Sequence, residues 1–176
     1  PYAHLVQRQV PVLFYTYVVD GQEYADDMGR DPEALPRFYR FLQEGKLPQT
    51  SQINVATYVE FFEQQLKKGD LLHIAFTSGQ SGSVNNAYIA AETLREKYPE
   101  RKIQVIDSLC SSSGYGLLVD EAADLRDAGR SLEETAQWVL ANRNKVHHQF
   151  FSSDMTQFRR TGRVSGAAAM VATVLN

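Results

Sequence analysis

Two short segments carry the side chains best suited to hold a small anion. The first is Thr77-Ser78-Gly79-Gln80-Ser81-Gly82-Ser83, a run of small and hydroxyl-bearing residues between an apolar run and a helical pattern. The second, residues 107–113, opens on Asp107-Ser108 and follows the next apolar run. Ligands of open α/β sheets gather beyond the carboxyl ends of the strands, and both segments sit there. A small-residue loop feeding a helix offers backbone N–H groups and the positive end of the helix dipole. Serine hydroxyls add donors. A solvated loop with a serine N-cap is the plainer alternative for the first segment, because serine is a common helix start. Pattern alone leaves both open.

Ser81 could also be a nucleophile. The elbow that presents such a serine has the form Gly-x-Ser-x-Gly, and Gly79-Gln80-Ser81-Gly82-Ser83 fails at its last position. None of His4, His73, His147 and His148 follows the serine, acid, histidine order convincingly. His73 falls inside an apolar run, where a core histidine is expected. A serine acyl hydrolase on Ser81 is therefore the enzymatic alternative, not the leading reading.

Other chemistries find less. A phosphate-binding P-loop and a Gly-x-Gly-x-x-Gly fingerprint are absent. His147 and His148 are adjacent, so on a strand they would point to opposite faces and chelate poorly. No spaced Cys/His set completes a zinc site, and no metal is expected. Cys110 has no evident partner base and reads as a small, unreactive residue. Arg159, Arg160 and Arg163 surround Thr161-Gly162. They fit either a solvated helix C-terminus or an anion clamp and docking patch.

Composition narrows the class. A 176-residue chain that is 43% hydrophobic and 22% charged suits an ordinary globular protein of one compact domain, or of one domain plus part of another. A net charge of −3 with interspersed signs gives no nucleic-acid footprint. One cysteine excludes an intrachain disulfide. No stretch reaches the roughly 20 apolar residues that span a bilayer. No signal-peptide layout opens the chain, so a cytoplasmic location is the expectation, without stable membrane insertion. The start at Pro1 and the apolar run before Asn176 suggest a fragment of a longer protein.

The elements that must position these residues follow from periodicity. Residues 10–19 and 22–24 read as strands around Asp20-Gly21, a strong hairpin signal. Asp31-Pro32 should open a helix that passes Phe38 and Phe41 and ends near Gly45. Residues 46–53 read as a loop. Asn54 should cap a helix to Lys68, with Gly69 at the position after its end. Residues 71–76 and 102–106 read as strands and 84–98 as the helix between them. Helices are expected over 113–128 and, from the capping box Ser131-Leu132-Glu133-Glu134, to Asn144. A strand over 146–151, a short helix over 154–160 and a last helix from Ser165 complete the pattern. Strands alternating with helices predict an α/β fold with a mainly parallel sheet flanked by helices.

Four motifs occur in order along the chain: Gln49-Thr50-Ser51-Gln52, the loop Thr77 to Ser83, Val105-Ile106-Asp107-Ser108, and Phe158-Arg159-Arg160-Thr161-Gly162-Arg163. Together with the hairpin from Tyr17 to Tyr24, this set resembles the DegV family of bacterial lipid-binding proteins. The resemblance implies a two-domain α/β fold with a long-chain fatty acid between the domains. It implies an accessory subunit, not an enzyme, that presents the fatty acid carboxylate to a separate fatty acid kinase catalytic subunit, which makes the acyl phosphate. Thr50 and Ser81 are the implied carboxylate contacts, with Ser51, Gly82 and Ser83 beside them. Arg160 and Arg163 are the candidates for head-group or partner contact. Ser83 stands where the family more often has Thr, and Thr161 where a second Gly is common. No cofactor is implied beyond the bound lipid. Residues 1–145 would form the N-terminal domain without its first strand, and 146–176 the beginning of the second. A regulatory module that carries no lipid is a further alternative.

Overall fold

The computed structural model describes residues 2–149, 151 and 156–164. It divides into two compact units, 1–146 and 147–176.

In the first unit, β4 (Leu71–Ala75) and β5 (Ile103–Asp107) run parallel, with Leu71 opposite Ile103 and Ala75 opposite Asp107. They are joined through α4 (Ser83–Lys97), the crossover a parallel pair requires. Both faces of this pair are covered, so its strands are apolar almost throughout. Successive strand side chains point to opposite faces. Leu71, Ala75, Ile103 and Val105 pack with Tyr58, Phe62 and Leu66 of α3 (Val55–Leu66) and Ala87, Ala91 and Leu94 of α4. Ile74 and Ile106 meet Ala122 of α5 (Ser112–Asp127) and Ala136 and Val139 of α6 (Leu132–Asn142). The small stripe Ala87, Ala90, Ala91 on α4 lets that helix approach closely, and all three are at most 1% exposed.

A second sheet is antiparallel. Its strands β1 (Thr16–Val19), β2 (Gln22–Ala25) and β3 (Gln49–Ser51) lie in the order β2-β1-β3. Asp20 and Gly21 make the expected two-residue turn with φ of 51° and 81°. Positive φ at both central positions matches the strand twist of a type I′ hairpin, and glycine adopts it without strain. Helix α2 (Ala34–Gln43) supplies Phe38, which meets Tyr17 edge-on at 5.3 Å.

The α/β class with flanking helices holds, and the strand content is mixed: a parallel pair beside an antiparallel triplet. Local expectations shift in several places. Residues 49–51 form β3 where a loop is expected, because a three-residue polar edge strand leaves no hydrophobic alternation to detect. Helix α2 starts at Ala34, since the Asp31 carboxylate accepts the Glu33 N–H at 2.9 Å and braces a turn ahead of the helix. Helix α3 ends at Leu66, and Gly69 takes no left-handed conformation. Residues 146–149 and 151 are not in a strand. The outward carbonyls of β5 at Ile103 and Asp107 already accept from Arg95 and Arg143. An unforeseen helix, α1 (Tyr2–Gln7), is followed by Arg8, which pairs with Asp120, Asp124 and Asp127 along α5. The capping box at Ser131 and Glu134 is present as expected. The helix expected from Ser165 lies outside the described residues.

His73 is a core histidine of β4. Its ring packs against Phe62 at 5.0 Å and Tyr58 at 5.5 Å, and Nε2 is buried without a partner among the described residues. Burial depresses its pKa to about 4 from 6.5. Between those values an unfolded chain binds a proton that the folded chain refuses. Folding stability is therefore full above 6.5 and falls as the pH drops towards 4, by at most about 3 kcal/mol. Urea unfolding across this range should show the slope, and His73→Leu should flatten it; an unchanged slope in the variant would assign acid sensitivity elsewhere.

Candidate functional site

The carboxyl ends of β4 and β5 and the end of β3 meet at the N-terminus of α4. The join is made by Ile53, between β3 and the Asn54 cap of α3. Its N–H donates to Ser83 Oγ at 3.1 Å, and its carbonyl accepts from Asn86 Nδ2 at 2.8 Å. Both backbone groups of one residue are thus satisfied by side chains of the first turn of α4. The Gln52 amide lies over Gly82: a Cβ there would sit 2.8 Å from Nε2 and 2.9 Å from Oε1. A larger residue there would have to push the flexible Gln52 amide aside, while the backbone angle of −74° sets no demand for glycine.

Ser81 and Ser83 form a short relay. Ser81 Oγ accepts the Ser83 N–H at 3.2 Å, and the two hydroxyl oxygens are 2.9 Å apart. The N-cap of α4 is Gly82, not a serine; Ser81, one residue earlier, accepts the first N–H of the helix. Ser83 Oγ already accepts from Ile53. With Ser83 donating to Ser81, the Ser81 oxygen accepts twice and its own proton points onward as a donor. Hydrogen-bond chains of this kind strengthen the terminal donor. Ser81 is only half-buried, while Ser83 is 1% exposed.

Strand alternation separates the hydroxyls of β3. Thr50 lies opposite Tyr17 and Ser51 opposite Thr16, so Thr50 and Ser51 face opposite sides of the sheet. Thr50 shares its side with Tyr17, and both Thr50 and Ser51 are exposed.

Asp107 and Ser108 hold the neighbouring loops. The Asp107 carboxylate accepts from Ser78 N–H at 3.2 Å and Leu109 N–H at 3.0 Å. Its carbonyl accepts from Arg143 at 2.7 Å. Ser108 Oγ accepts the Cys110 N–H, and the Cys110 carbonyl accepts from Thr77 N–H at 3.2 Å. The Cys110 thiol is buried against the Arg143 carbonyl, and burial, then the nearby Asp107, pushes its pKa up. A thiol held protonated is a poor nucleophile.

In the second unit, α7 (Thr156–Arg160) ends in a Schellman motif. Arg163 N–H donates to Phe158 O at 2.9 Å and Gly162 N–H to Arg159 O at 3.1 Å. Gly162 carries the positive φ of 73°, so Thr161 occupies a position any residue tolerates. Arg159, Arg160 and Arg163 are exposed. His147 and His148 are exposed as well, and no cluster of metal-ligating side chains exists among the described residues. Among those residues no helix is long and apolar enough to cross a membrane.

The family model described as "Uncharacterised protein, DegV family" matches residues 2–176. The chain belongs to the DegV family. It is 40% identical over 160 residues to the DegV domain-containing protein CPE0026 of Clostridium perfringens, covering 90% of this chain and 54% of that relative. The chain thus spans about half the length of that curated relative. Among solved structures, the DegV protein of Thermus thermophilus, reported for its fatty acid binding, superposes with a TM-score of 0.78 at 26% identity. That match covers 100% of this chain and 61% of the other. The fatty acid kinase (Fak) B3 protein of Streptococcus pneumoniae, solved loaded with linoleic acid, shares the fold at 24% identity. Its TM-score is 0.75, over 95% of this chain and 60% of the other.

Of the residues marked in the sequence of this DegV chain, Gly82 and Ser83 are brought to one place with Ser81, next to Gln52. Thr50 and Ser51 sit on the strand that leads into that place. Arg160 and Arg163 belong to the other unit. Asn86 carried no signal in the sequence: a polar residue in a helix reads as solvated.

The clamp makes a distinction between the two serines. Ser83→Ala removes the acceptor of the buried Ile53 N–H and should cost about 1–3 kcal/mol. Ser81→Ala removes a half-buried hydroxyl and should cost less. Chemical-denaturation midpoints of the two variants would test the order, and equal losses would contradict it.

Proposed function

We propose that this DegV protein binds a long-chain fatty acid, with Thr50 and Ser81 donating to the carboxylate, and presents that carboxylate to a fatty acid kinase catalytic subunit for acyl phosphate formation. The observation that carries the reading is the pair of serine hydroxyls 2.9 Å apart at the N-terminus of α4, in which either oxygen can donate; with Ser83 donating, the Ser81 proton is available to a ligand. The helix dipole favours an anion there. Fatty acid binding by the Thermus thermophilus relative supports the ligand class. The kinase step rests on the motif resemblance. Ser83 and Gly82 then act behind Ser81, by holding the relay and admitting Gln52, and Ser51 lies on the far side of the sheet from Thr50. Arg160 and Arg163 are proposed as a contact for the partner.

Magnitudes divide the labour. Burying some 14 methylenes is worth roughly 11 kcal/mol, at about 0.8 kcal/mol each. Each charge-assisted hydrogen bond contributes about 1.5–3 kcal/mol, largely offset by desolvation of the carboxylate. The tail dominates affinity, and the hydroxyls fix orientation. A hydrolase reading finds no support in the geometry, because Ser81 is bonded to Ser83 and not to a histidine.

Native mass spectrometry of the intact protein should reveal a co-purified mass of fatty-acid size; its absence after lipid loading would defeat the proposal. Thr50→Ala or Ser81→Ala should lower kinase-coupled acyl phosphate formation about tenfold or more while lipid retention falls much less. Equal loss of both would contradict the division of labour. Charge reversal at Arg160 and Arg163 should weaken kinase coupling and leave the lipid in place, which the same pair of assays would read.

A further inference from the structure

The Gln52 side chain has no task that the fold explains. Its amide makes no hydrogen bond among the described residues, and the residue is exposed. An exposed glutamine ordinarily extends into water, where it keeps its rotamer freedom. This one is laid against Gly82, so closely that a Cβ there would stand 2.8 Å from Nε2 and 2.9 Å from Oε1. Gly82 is the N-cap of α4 and separates Ser81 from Ser83. An uncharged amide with unused donors therefore covers the end of the helix where the proposed carboxylate contact stands.

The backbone on either side of Gln52 fixes where that amide stands. Thr50 lies two residues before it, at the middle of β3. Ile53 follows directly. Its N–H, in the peptide that joins it to Gln52, donates to Ser83 Oγ at 3.1 Å, and Ser83 Oγ is 2.9 Å from Ser81 Oγ. The chain from Thr50 to Ile53 thus runs into the serine pair, and the Gln52 side chain reaches across the glycine between those serines. Gly82 is covalently next to Ser81, so one ligand head group at Ser81 meets both the hydroxyl and the amide.

We propose that the Gln52 amide is a further neutral donor to the carboxylate held at Ser81, that Gly82 admits it by lacking a Cβ, and that this amide helps the site select an ionised acid over the alcohol of the same chain length. The inference rests on the carboxylate reading of Ser81. Gln52 Nε2 carries two N–H donors, and an ionised carboxyl group accepts on both oxygens and donates nothing. Donor and acceptor are then matched, and the hydrogen bond is strengthened by the ligand's charge. An alcohol has one oxygen and no charge, so it gains less from the same donor. Glutamate has the shape of glutamine but offers only acceptors when ionised. At this position it would repel a carboxylate and could still accept from an alcohol.

The test is Gln52→Glu, Gln52→Ala and Gly82→Ala in the intact protein, with dissociation constants for palmitate and 1-hexadecanol at a pH above the carboxylate range and a thermal unfolding midpoint for each variant. Wild type should bind palmitate and prefer it to the alcohol. Gln52→Glu should lower that preference about tenfold or more, almost all of it through weaker palmitate binding, with the unfolding midpoint close to that of wild type. Gln52→Ala should lower it less, and Gly82→Ala, whose methyl displaces the amide, should match Gln52→Ala. An unchanged preference in Gln52→Glu overturns the inference and leaves the fatty acid reading intact. So does a loss shared equally by both ligands, which marks the amide as packing only. A Gly82→Ala protein that keeps the wild-type preference overturns the part assigned to the glycine. Failure of wild type to bind palmitate at all overturns the fatty acid reading itself, and this inference with it.

Discussion

The hydrogen bond from the Ile53 N–H to Ser83 Oγ is the contact on which the rest of the arrangement depends. Ile53 is 8% exposed and belongs to the core between α3, α4 and the parallel pair. Its side chain is therefore fixed by packing, and both its backbone groups by α4. A buried backbone group without a partner is a large fraction of a domain's net stability. The chain cannot move β3 away from α4 without orphaning both. Thr50 lies three residues before this clamp and Ser81 two residues before its serine. Their placement is inherited from a structural bond made by neither of them.

The same logic explains how much of the molecule was legible in its sequence. Elements with a periodic apolar face and a cap, such as α3 behind Asn54 and α6 behind the Ser131 box, declare themselves locally. The Asp20-Gly21 turn does too, because its backbone angles demand those residues. Strand β3 does not: Gln49, Thr50 and Ser51 are all exposed, and only the ladder to β1 makes them a strand. Helix α1 is similar, since its attachment depends on ion pairs with residues more than a hundred positions away. Contacts of that separation leave no periodic trace.

At the candidate site the residue types were visible and their duties were not. Asp107, Ser108, Ser81 and Ser83 all look like polar groups awaiting a ligand. Accounting for partners separates them. Asp107 joins two loops through Ser78 and Leu109 N–H groups, and Ser108 closes its own turn. Ser83 holds Ile53. Ser81 is half-buried, and with Ser83 donating to it its own proton is left for a ligand.

Neutral donors have a consequence for the proposed ligand. A carboxyl group moved out of water tends to become protonated, because burial disfavours the charged form. Hydrogen bonds to the ionised form work the other way, and each must recover part of that cost. One hydroxyl at Thr50 and one at Ser81, assisted by the α4 dipole, leave most of a carboxylate's acceptor sites open. A lone fixed cation would restore ionisation but would also anchor the oxygen that attacks a phosphoryl group in the proposed kinase step.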